Sequence, residues 1–422
     1  MTGAKPIIRA AGDNSTQAYD VEQVRRDFPI LARQVHGKPL VFLDNGASAQ
    51  KPRLVIDAVC EAYESYYANV HRGAHYMSQR STDAYEEARV IVQRFINAPS
   101  DKNIVFTSNV TDAINLVAAS WGRTFLSAGD EVVVTEMEHH ANIVPWHMLR
   151  VEKGIKLKVV PITETGEFRI EDFEAALSPN TKLVAVTECS NVLGTRVPIK
   201  RVVEIAHARG IPVLVDGAQG IVHQKVDVQA LDCDLYAFTG HKLYGPSGIG
   251  VLYGKAEILD ATPPYRGGGD MIERVSFDDV TYAAPPHRFE AGTPPIVQAI
   301  GLGAAIRYVE RLGMDNIHAH EQGLLAYANE RLAGIEGFRF IGTAADKAAI
   351  VSFLVEGLHP FDIAAVLDRQ GVAVRVGQHC AEPLMDRLGI EGTVRASFGL
   401  YNNRADVDAL AAAIEKAKGM LG

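Results

Sequence analysis

Lys242 interrupts a run that otherwise resembles a buried strand, in the stretch LYAFTGHKLYGPSGIGVLYG at residues 235–254. A charged, unpaired lysine in such apolar surroundings is costly, so burial would shift it toward the neutral amine. A neutral lysine is a nucleophile toward carbonyl groups. The alternative is a lysine that extends from a loop into solvent. Neighbouring motifs have to decide between these two interpretations.

Asp216 and a helix start are the next candidates. Asp216 ends the apolar run IPVLVD, and open α/β sheets bind ligands at the carboxyl ends of their strands. A carboxylate there can hold a ring nitrogen protonated, or it can simply cap the next turn. Ser108, Asn109 and Thr111 precede a helical pattern, and such helix starts either bind phosphate or are capped by their own side chains.

Two adjacent histidines, His139 and His140, follow a strand-like run in TEMEHHANIVPW. Alternation in an extended segment prevents both from facing one pocket. The segment also lacks the spacing of a metal-binding pair, so we predict no metal site there. A flat imidazole stacked on a ring cofactor is the more specific hypothesis.

Cys380 lies in a predicted loop bounded by Gly377 and Pro383, with Arg375 and Arg395 on flanking strand-like runs. A free cysteine is often an inert core residue. Polar neighbours and an adjacent histidine instead favour a thiolate. Arginine is a natural bidentate partner for a substrate carboxylate.

Short apolar runs alternate with amphipathic segments between residues 104 and 253, which predicts an α/β fold with a mostly parallel sheet. Helical patterns follow at 296–312 and 316–332, and a smaller α/β domain with a closing helix from Arg404 completes the chain. The predicted strands are NIVFTS, EVVVTE, KLKVVPI, KLVAVTE, IPVLVD, DLYAFTG and GIGVLYG.

Bulk composition narrows the functional class. A chain of 422 residues predicts two domains. A net charge of -9 without a basic cluster argues against nucleic acid or anionic lipid as the main partner, and no long apolar run predicts a membrane span. The 4 cysteines lack regular spacing, which favours a reducing cytoplasm over a disulfide framework.

Together these motifs resemble the group II, SUF-type cysteine desulfurases, which belong to the class V aminotransferase family of pyridoxal phosphate enzymes. The resemblance covers all but about the first 18 residues. It implies fold type I of the pyridoxal phosphate-dependent transferases, with a seven-stranded, mostly parallel sheet in the large domain. The matching blocks include FLDNGASAQKP, HRGAHYMS, MEHHANIVPWHML, SNVLGT, VDGAQG, GHKLYGPSGIGVLYG, RFEAGTPP, HCAEPLM and VRASFGLYN.

The resemblance implies a role for each site residue. Lys242 would form a Schiff base with pyridoxal 5'-phosphate and would move protons as the catalytic base. Asp216 would pair with the pyridinium nitrogen, Gln219 would contact the phenolic oxygen, and His139 would stack on the ring. Cys380 would attack the substrate sulfur and leave a cysteine persulfide and alanine.

The same resemblance assigns the phosphate and the substrate carboxylate. Thr111, Thr239 and His241 would hold the phosphate, together with Thr293 from the second subunit of a homodimer. One hydroxyl that family members use is replaced by valine before Thr111, so we expect weaker anchoring or compensation by Ser108 or Asn109. The residues expected to position the substrate carboxylate are Arg395, Asn191 and Arg375.

The expected activity is conversion of L-cysteine to L-alanine, with the sulfur passed to a SUF-type acceptor protein for iron-sulfur cluster assembly. The expected organisation is a mobile extension at 1–18, a segment at 19–40 that packs with the small domain, a large cofactor-binding domain at 41–312 and a small domain at 313–422 that carries the cysteine loop. We expect a cytoplasmic enzyme without nucleic acid or membrane partners.

Three alternatives remain. A selenocysteine lyase or cysteine sulfinate desulfinase could use the same scaffold and would need a catalytic thiol less. A conventional aminotransferase would have no use for Cys380. A noncatalytic pyridoxal phosphate module would make the set of Lys242, Asp216, His139 and Arg395 superfluous.

Overall fold

A computed structural model describes residues 19–422; the extension predicted at residues 1–18 lies outside the described part. Within that part, two sheets of different size are covered by helices. The strands, in chain order, are β1 (Gln34–Val35), β2 (Lys38–Pro39), β3 (Val41–Phe42), β4 (Ile104–Thr107), β5 (Glu131–Thr135), β6 (Lys156–Val160), β7 (Thr181–Thr187), β8 (Val213–Asp216), β9 (Leu235–Thr239), β10 (Gly250–Gly254), β11 (Ile272–Val275), β12 (Val280–Tyr282), β13 (Phe338–Ile341), β14 (Ile350–Val355), β15 (Val372–Ala373), β16 (Arg375–Gly377) and β17 (Thr393–Ser397).

The helices lie between and after these strands, and short 3₁₀ and π segments extend several of them. The α-helices are α1 (Val21–Arg26), α2 (Arg53–Glu61), α3 (Tyr76–Phe95), α4 (Val110–Leu116), α5 (Arg123–Phe125), α6 (Val144–Lys153), α7 (Ile170–Ala176), α8 (Ile199–His207), α9 (Gly220–His223), α10 (Val228–Leu231), α11 (Ala256–Ala261), α12 (Ile296–Leu312), α13 (Met314–Ala333), α14 (Pro360–Arg369), α15 (Glu382–Leu388) and α16 (Arg404–Leu421).

The large sheet has 7 strands in the order β4-β10-β9-β8-β7-β5-β6. Strand β10 runs antiparallel to both of its neighbours, and the other pairings are parallel. Strands β5, β8, β9 and β10 are buried at every position, as expected when helices cover both faces of a sheet. This arrangement confirms the predicted fold class.

The smaller sheet contains 4 antiparallel strands in the order β13-β14-β17-β16. Helices α13, α14 and α16 pack on it, and their apolar faces form a separate core with strands β14 and β17. Strand β17 carries Arg395, and the loop after β16 carries Cys380. Strand β16 begins with Arg375, so this sheet and its loop carry three of the predicted site residues.

The segment at 19–40 contacts the C-terminal part of the chain. The Tyr19 hydroxyl donates to the Leu400 carbonyl at 2.5 Å, and Arg25 forms an ion pair with Asp406 at 2.8 Å. The assignment of this segment to the small domain stays a prediction. The division into domains at 41–312 and 313–422 stays a prediction.

The helices offer no route through a bilayer: across residues 19–422, none is long and apolar enough to cross a membrane.

Candidate active site

The predicted site residues gather where the parallel strands of the large sheet end. Asp216 is the last residue of β8, and Thr239 is the last residue of β9. His139 follows β5 after a short turn, and Lys242 follows β9 after a turn of two residues. Parallel strands bring their carboxyl ends to one edge, which is where open α/β sheets place their ligands.

Lys242 is half-buried at this edge of the sheet. Burial lowers the pKa of Lys242 to about 8, and the negative charges of Asp216 and of a Cys380 thiolate oppose that shift. Arg395 acts in the same direction as burial because it is a second cation. The lysine can therefore exchange a proton near neutral pH, as a general base must.

The backbone before Lys242 is held firmly through the His241 carbonyl. This oxygen accepts hydrogen bonds from Ala49 N at 3.1 Å, Ser48 Oγ at 3.2 Å and Lys51 Nζ at 3.0 Å. These contacts fix the peptide next to Lys242 against the segment that follows β3. Burial, with help from the nearby lysines, lowers the pKa of the His241 imidazole to about 4.

Asp216 is a buried carboxylate, 3% exposed. Its Oδ1 accepts a hydrogen bond from Ala218 N at 3.0 Å, and the described residues offer no donor to its Oδ2. Burial raises the pKa of the carboxyl, while the Ala218 amide and the Lys242 ammonium lower it. A buried carboxylate with one oxygen free suits a protonated ring nitrogen.

His139 is a neutral imidazole at neutral pH. Burial lowers its pKa to about 4, and the positive charge of Lys242 adds to the effect. Its Nδ1 accepts a hydrogen bond from Ala141 N at 3.1 Å, so the proton of the neutral ring lies on Nε2. A neutral, flat ring beside Lys242 is compatible with stacking on a cofactor ring.

Gln219 occupies the turn after β8, where its Nε2 donates to the Gly46 carbonyl at 2.8 Å. That bond ties the segment after β3 to the Asp216 turn. The Gln219 side chain is 3% exposed, so it belongs to the same buried edge as Asp216.

Arg395 and Arg375 share one carboxylate, that of Asp44. Arg375 binds Asp44 with Nη2 to Oδ2 at 2.9 Å, and Arg395 Nη2 lies 3.3 Å from Asp44 Oδ1. Burial lowers the pKa of Arg395 to about 10, against the effect of Asp44. The Arg395 Nε is buried without a hydrogen-bond partner. Two cations facing one anion leave positive charge for a substrate carboxylate.

Asn191 and the Cys380 loop lie against this arginine. Asn191 Nδ2 donates to the His379 carbonyl at 2.8 Å, and the Asn191 carbonyl accepts from Arg395 Nη1 at 2.9 Å. Cys380 itself is exposed. The structure therefore places Asn191, Arg395 and Cys380 in one neighbourhood, within electrostatic range of Lys242.

The residues predicted to hold the phosphate differ in their burial and in their hydrogen bonds. Thr111 is exposed in the first turn of α4, and Thr239 is buried with its hydroxyl 3.4 Å from the Ile249 carbonyl. The Asn109 Oδ1 accepts from the Asp112 amide at 2.9 Å, and this bond leaves the Nδ2 of Asn109 as the donor that could replace the missing hydroxyl. Thr293 is exposed, and the hydrogen bonds described for this chain do not connect it to the site.

Sequence reasoning missed three residues that contact the site. Asp44 pairs with both arginines, Lys51 binds the His241 carbonyl, and His140 contacts the cysteine loop. Asp44 had a usable signal, since it ends the apolar run LVFLD in the same way that Asp216 ends IPVLVD. Lys51 and His140 act on backbone atoms of distant segments, and such contacts leave no local sequence pattern.

Comparison with known proteins identifies the family of the chain. The family model for class-V aminotransferases matches residues 41–410. A cysteine desulfurase of Synechococcus elongatus is 50% identical over 98% of the chain, which spans 66% of that longer protein. A cysteine desulfurase of Dickeya dadantii is 52% identical over 96% of the chain and is covered over 98% of its own length.

Solved structures give the same result. The crystal structure of the cysteine desulfurase CsdA from Escherichia coli superposes with a TM-score of 0.90 at 40% identity, and covers 96% of this chain and 100% of its own. The predicted family and fold are thus confirmed. The chain belongs to the class-V aminotransferase family, among its cysteine desulfurases.

Proposed function

We propose that this chain is a pyridoxal phosphate-dependent cysteine desulfurase that converts L-cysteine to L-alanine and holds the released sulfur as a persulfide on Cys380. The observation that carries the proposal is the exposed Cys380 within electrostatic range of Lys242 and Arg395. The substrate carbon–sulfur bond breaks, the Cys380 thiolate keeps the sulfur, and the carbon takes up a proton. No external oxidant or reductant is needed for this step.

The residues at the sheet edge fit the cofactor. Lys242 would bind it covalently, Asp216 would face its ring nitrogen, His139 would cover its ring and Gln219 would contact the phenolic oxygen. The bound cofactor withdraws electrons from the substrate α-carbon. The free Oδ2 of the buried Asp216 supports this assignment, because a proton on the ring nitrogen would satisfy it.

The phosphate would bind near the start of α4. Thr111, Thr239 and His241 remain our proposed ligands, since α4 packs against both β9 and β10 beside the Lys242 turn. Gly250 opens β10 directly beneath the Asn109 backbone, where a Cβ would lie only 2.4 Å from the Asn109 carbonyl carbon. Glycine there lets the helix start approach the sheet edge, where its amides can face an anion.

The side chains of the protein would carry out proton transfer, carboxylate binding and sulfur acceptance. Burial lowers the pKa of Lys242 to about 8. The lysine could therefore carry a proton between the substrate α-carbon and the cofactor. Arg395 offers its unpartnered Nε to the substrate carboxylate, while Asn191 and Arg375 fix the position of that arginine and of the loop. Cys380 is the sulfur acceptor because it is accessible from outside.

Two finer assignments are part of the proposal. The enzyme would act as a homodimer, in which Thr293 reaches the phosphate of the neighbouring subunit. The Cys380 persulfide would pass its sulfur to a SUF-type acceptor protein for iron-sulfur cluster assembly in the cytoplasm. The exposure of Thr293 and Cys380 supports both assignments.

The first test is product analysis with L-cysteine, L-selenocysteine and cysteine sulfinate in the presence of a thiol reductant. A cysteine desulfurase releases alanine and sulfide in equal amounts from L-cysteine. Turnover of selenocysteine or cysteine sulfinate alone would contradict the proposal and favour the related lyase activities. Formation of a keto acid in place of alanine would indicate an aminotransferase.

A further inference from the structure

The loop that carries Cys380 has an unusual backbone. His379 and Cys380 both adopt left-handed conformations with φ of 56°, and Gly377 precedes them at φ 112°. A left-handed conformation costs a residue with a side chain roughly 1 kcal/mol or more, and two in succession are rare. Such a loop persists only where surrounding contacts hold it in place.

His140 makes two hydrogen bonds to this loop, one at the carbonyl of Cys380 and one two residues further along the chain. Its backbone N–H donates to the Cys380 carbonyl at 2.7 Å. Its ring Nε2 accepts a hydrogen bond from the backbone N–H of Glu382, the first residue of α15, at 3.0 Å. Ala381, which precedes α15, supplies no side-chain cap, so the imidazole of His140 satisfies an amide that the helix itself leaves unpaired.

The anchor itself is rigid. His140 begins a 3₁₀ turn, His140–Asn142, that follows directly after His139. Asn142 is fully buried, donates to Glu138 Oε2 at 2.7 Å and accepts from Trp146 Nε1 at 3.0 Å. One short turn therefore supports the imidazole at the cofactor face and also holds the loop of the sulfur acceptor.

We propose that His140 is a positioning residue that sets the location of Cys380 relative to the substrate sulfur. It acts through its Nε2, which holds the Glu382 amide, and through its own amide, which holds the Cys380 carbonyl. The inference rests on the proposed desulfurase function, but the contact itself can be tested without it. A misplacement of about 1 Å at a reacting atom can reduce a rate a hundredfold. Loss of the His140 contacts should therefore slow the transfer of sulfur to Cys380.

Two substitutions separate this role from general stability. In His140→Gln the amide oxygen lies at about the distance of Nε2 along the side chain and can still accept from Glu382 N–H. In His140→Asn the oxygen is one carbon too short and cannot reach it. Both variants are neutral, polar and similar in size, and both retain the backbone N–H.

The first readout is hydrogen exchange of the backbone in residues 377–388 of the full-length holoenzyme. We expect exchange at the wild-type rate in His140→Gln and clearly faster exchange in His140→Asn. The second readout is steady-state alanine formation from L-cysteine. We expect kcat to fall about tenfold or more in His140→Asn with little change in KM, and to recover largely in His140→Gln.

The cofactor absorption band should be the same in all three proteins. Unchanged exchange and kcat in His140→Asn would overturn the inference, as would equal losses in both variants. A lost cofactor band in His140→Asn would also overturn it, because the ring would then act at the cofactor. Absence of alanine from the wild-type protein would refute the proposed function instead, and the exchange comparison would still decide whether His140 holds the loop.

Discussion

Burial shifts the pKa values of the ionisable side chains around Lys242 and Asp216. The pKa of Lys242 falls to about 8, and the pKa values of His139 and His241 fall to about 4, in each case first because of burial. Histidines that stay neutral at physiological pH leave Lys242 and the arginines as the cations of the site. This balance favours an anionic ligand, such as an amino acid carboxylate or a phosphate.

Substitution of Lys242 tests the covalent attachment of the cofactor. We expect Lys242→Ala to lose the visible absorption band of the bound cofactor and to release no alanine, because the turn after β9 contains no other lysine and the Nζ of Lys51 beside it is held by the carbonyls of Ala49 and His241. Lys225→Ala is the control, since Lys225 is exposed. A Lys242→Ala protein that keeps a visible band resistant to borohydride would refute the assignment.

His379 makes the fold sensitive to acid. Burial, followed by the charge of Arg395, lowers its pKa to about 3 in the folded protein. Its unfolded pKa is about 6.5, so the unfolded chain binds the proton more readily and stability falls as pH falls below about 6.5. This one group accounts for a loss of about 1.4 kcal/mol between pH 7.5 and 5.5.

The measurement is the thermal unfolding midpoint of the wild type and of His379→Gln at both pH values. We expect the wild-type midpoint to drop further than that of the variant on acidification, since glutamine takes up no proton. Parallel drops in the two proteins would show that His379 titrates normally in the folded state.

Single residues differed in how readily the sequence revealed them. Asp216 and Cys380 stand in local patterns, a strand end and a polar loop, and both were predicted. His140 was set aside because alternation kept it from facing the same pocket as His139, yet its ring caps Glu382 of another element. Contacts between a side chain and a distant backbone amide depend on the packed fold and leave no periodicity to find.

At the scale of elements, a buried ion pair ties the loop before Thr293 to the large sheet. Arg89 on α3 binds Glu290 through Nη1 at 2.6 Å and Nη2 at 2.9 Å, and Glu290 Oε1 accepts from Phe106 N at 2.7 Å. The guanidinium lies 4.6 Å from the centroid of the Phe106 ring. This network fixes the start of the AGTP segment that carries Thr293.

Removal of Arg89 would leave the buried Glu290 carboxylate without its positively charged partner. We expect Arg89→Met to destabilise the protein by about 3–5 kcal/mol, measured by thermal unfolding. Arg123→Gln breaks an exposed pair with Glu152 at 2.9 Å and serves as the control, with an expected loss below about 1 kcal/mol. Equal effects of the two substitutions would contradict the role assigned to the buried pair.

The seven strands of the large sheet were predicted correctly because each is a short apolar run between polar turns. The antiparallel direction of β10 was not predicted, since a buried run carries no record of its orientation. The short pairs β1–β2 and β11–β12 were also missed. Their residues are mostly exposed, so burial imposes no alternation on them.

At the scale of the whole molecule, the proposed dimer can be tested by complementation. A mixed dimer of Lys242→Ala and Thr293→Ala subunits has one complete site if Thr293 acts across the interface, and none if it acts within its own subunit. We therefore expect the purified mixed dimer to form alanine at about half the wild-type rate, while each variant homodimer is much slower. A mixed dimer no faster than the homodimers would place Thr293 in its own subunit's site.

The central claim is that Cys380 accepts the substrate sulfur. The most direct measurement compares alanine release from L-cysteine, with a reductant present, by the wild type and by Cys380→Ser. Mass spectrometry of the Cys380 peptide, before reduction, follows the sulfur itself. The account predicts alanine from the wild type, almost none from Cys380→Ser, and one added sulfur atom on Cys380. Equal alanine from both proteins would contradict it and would favour a lyase that needs no catalytic thiol.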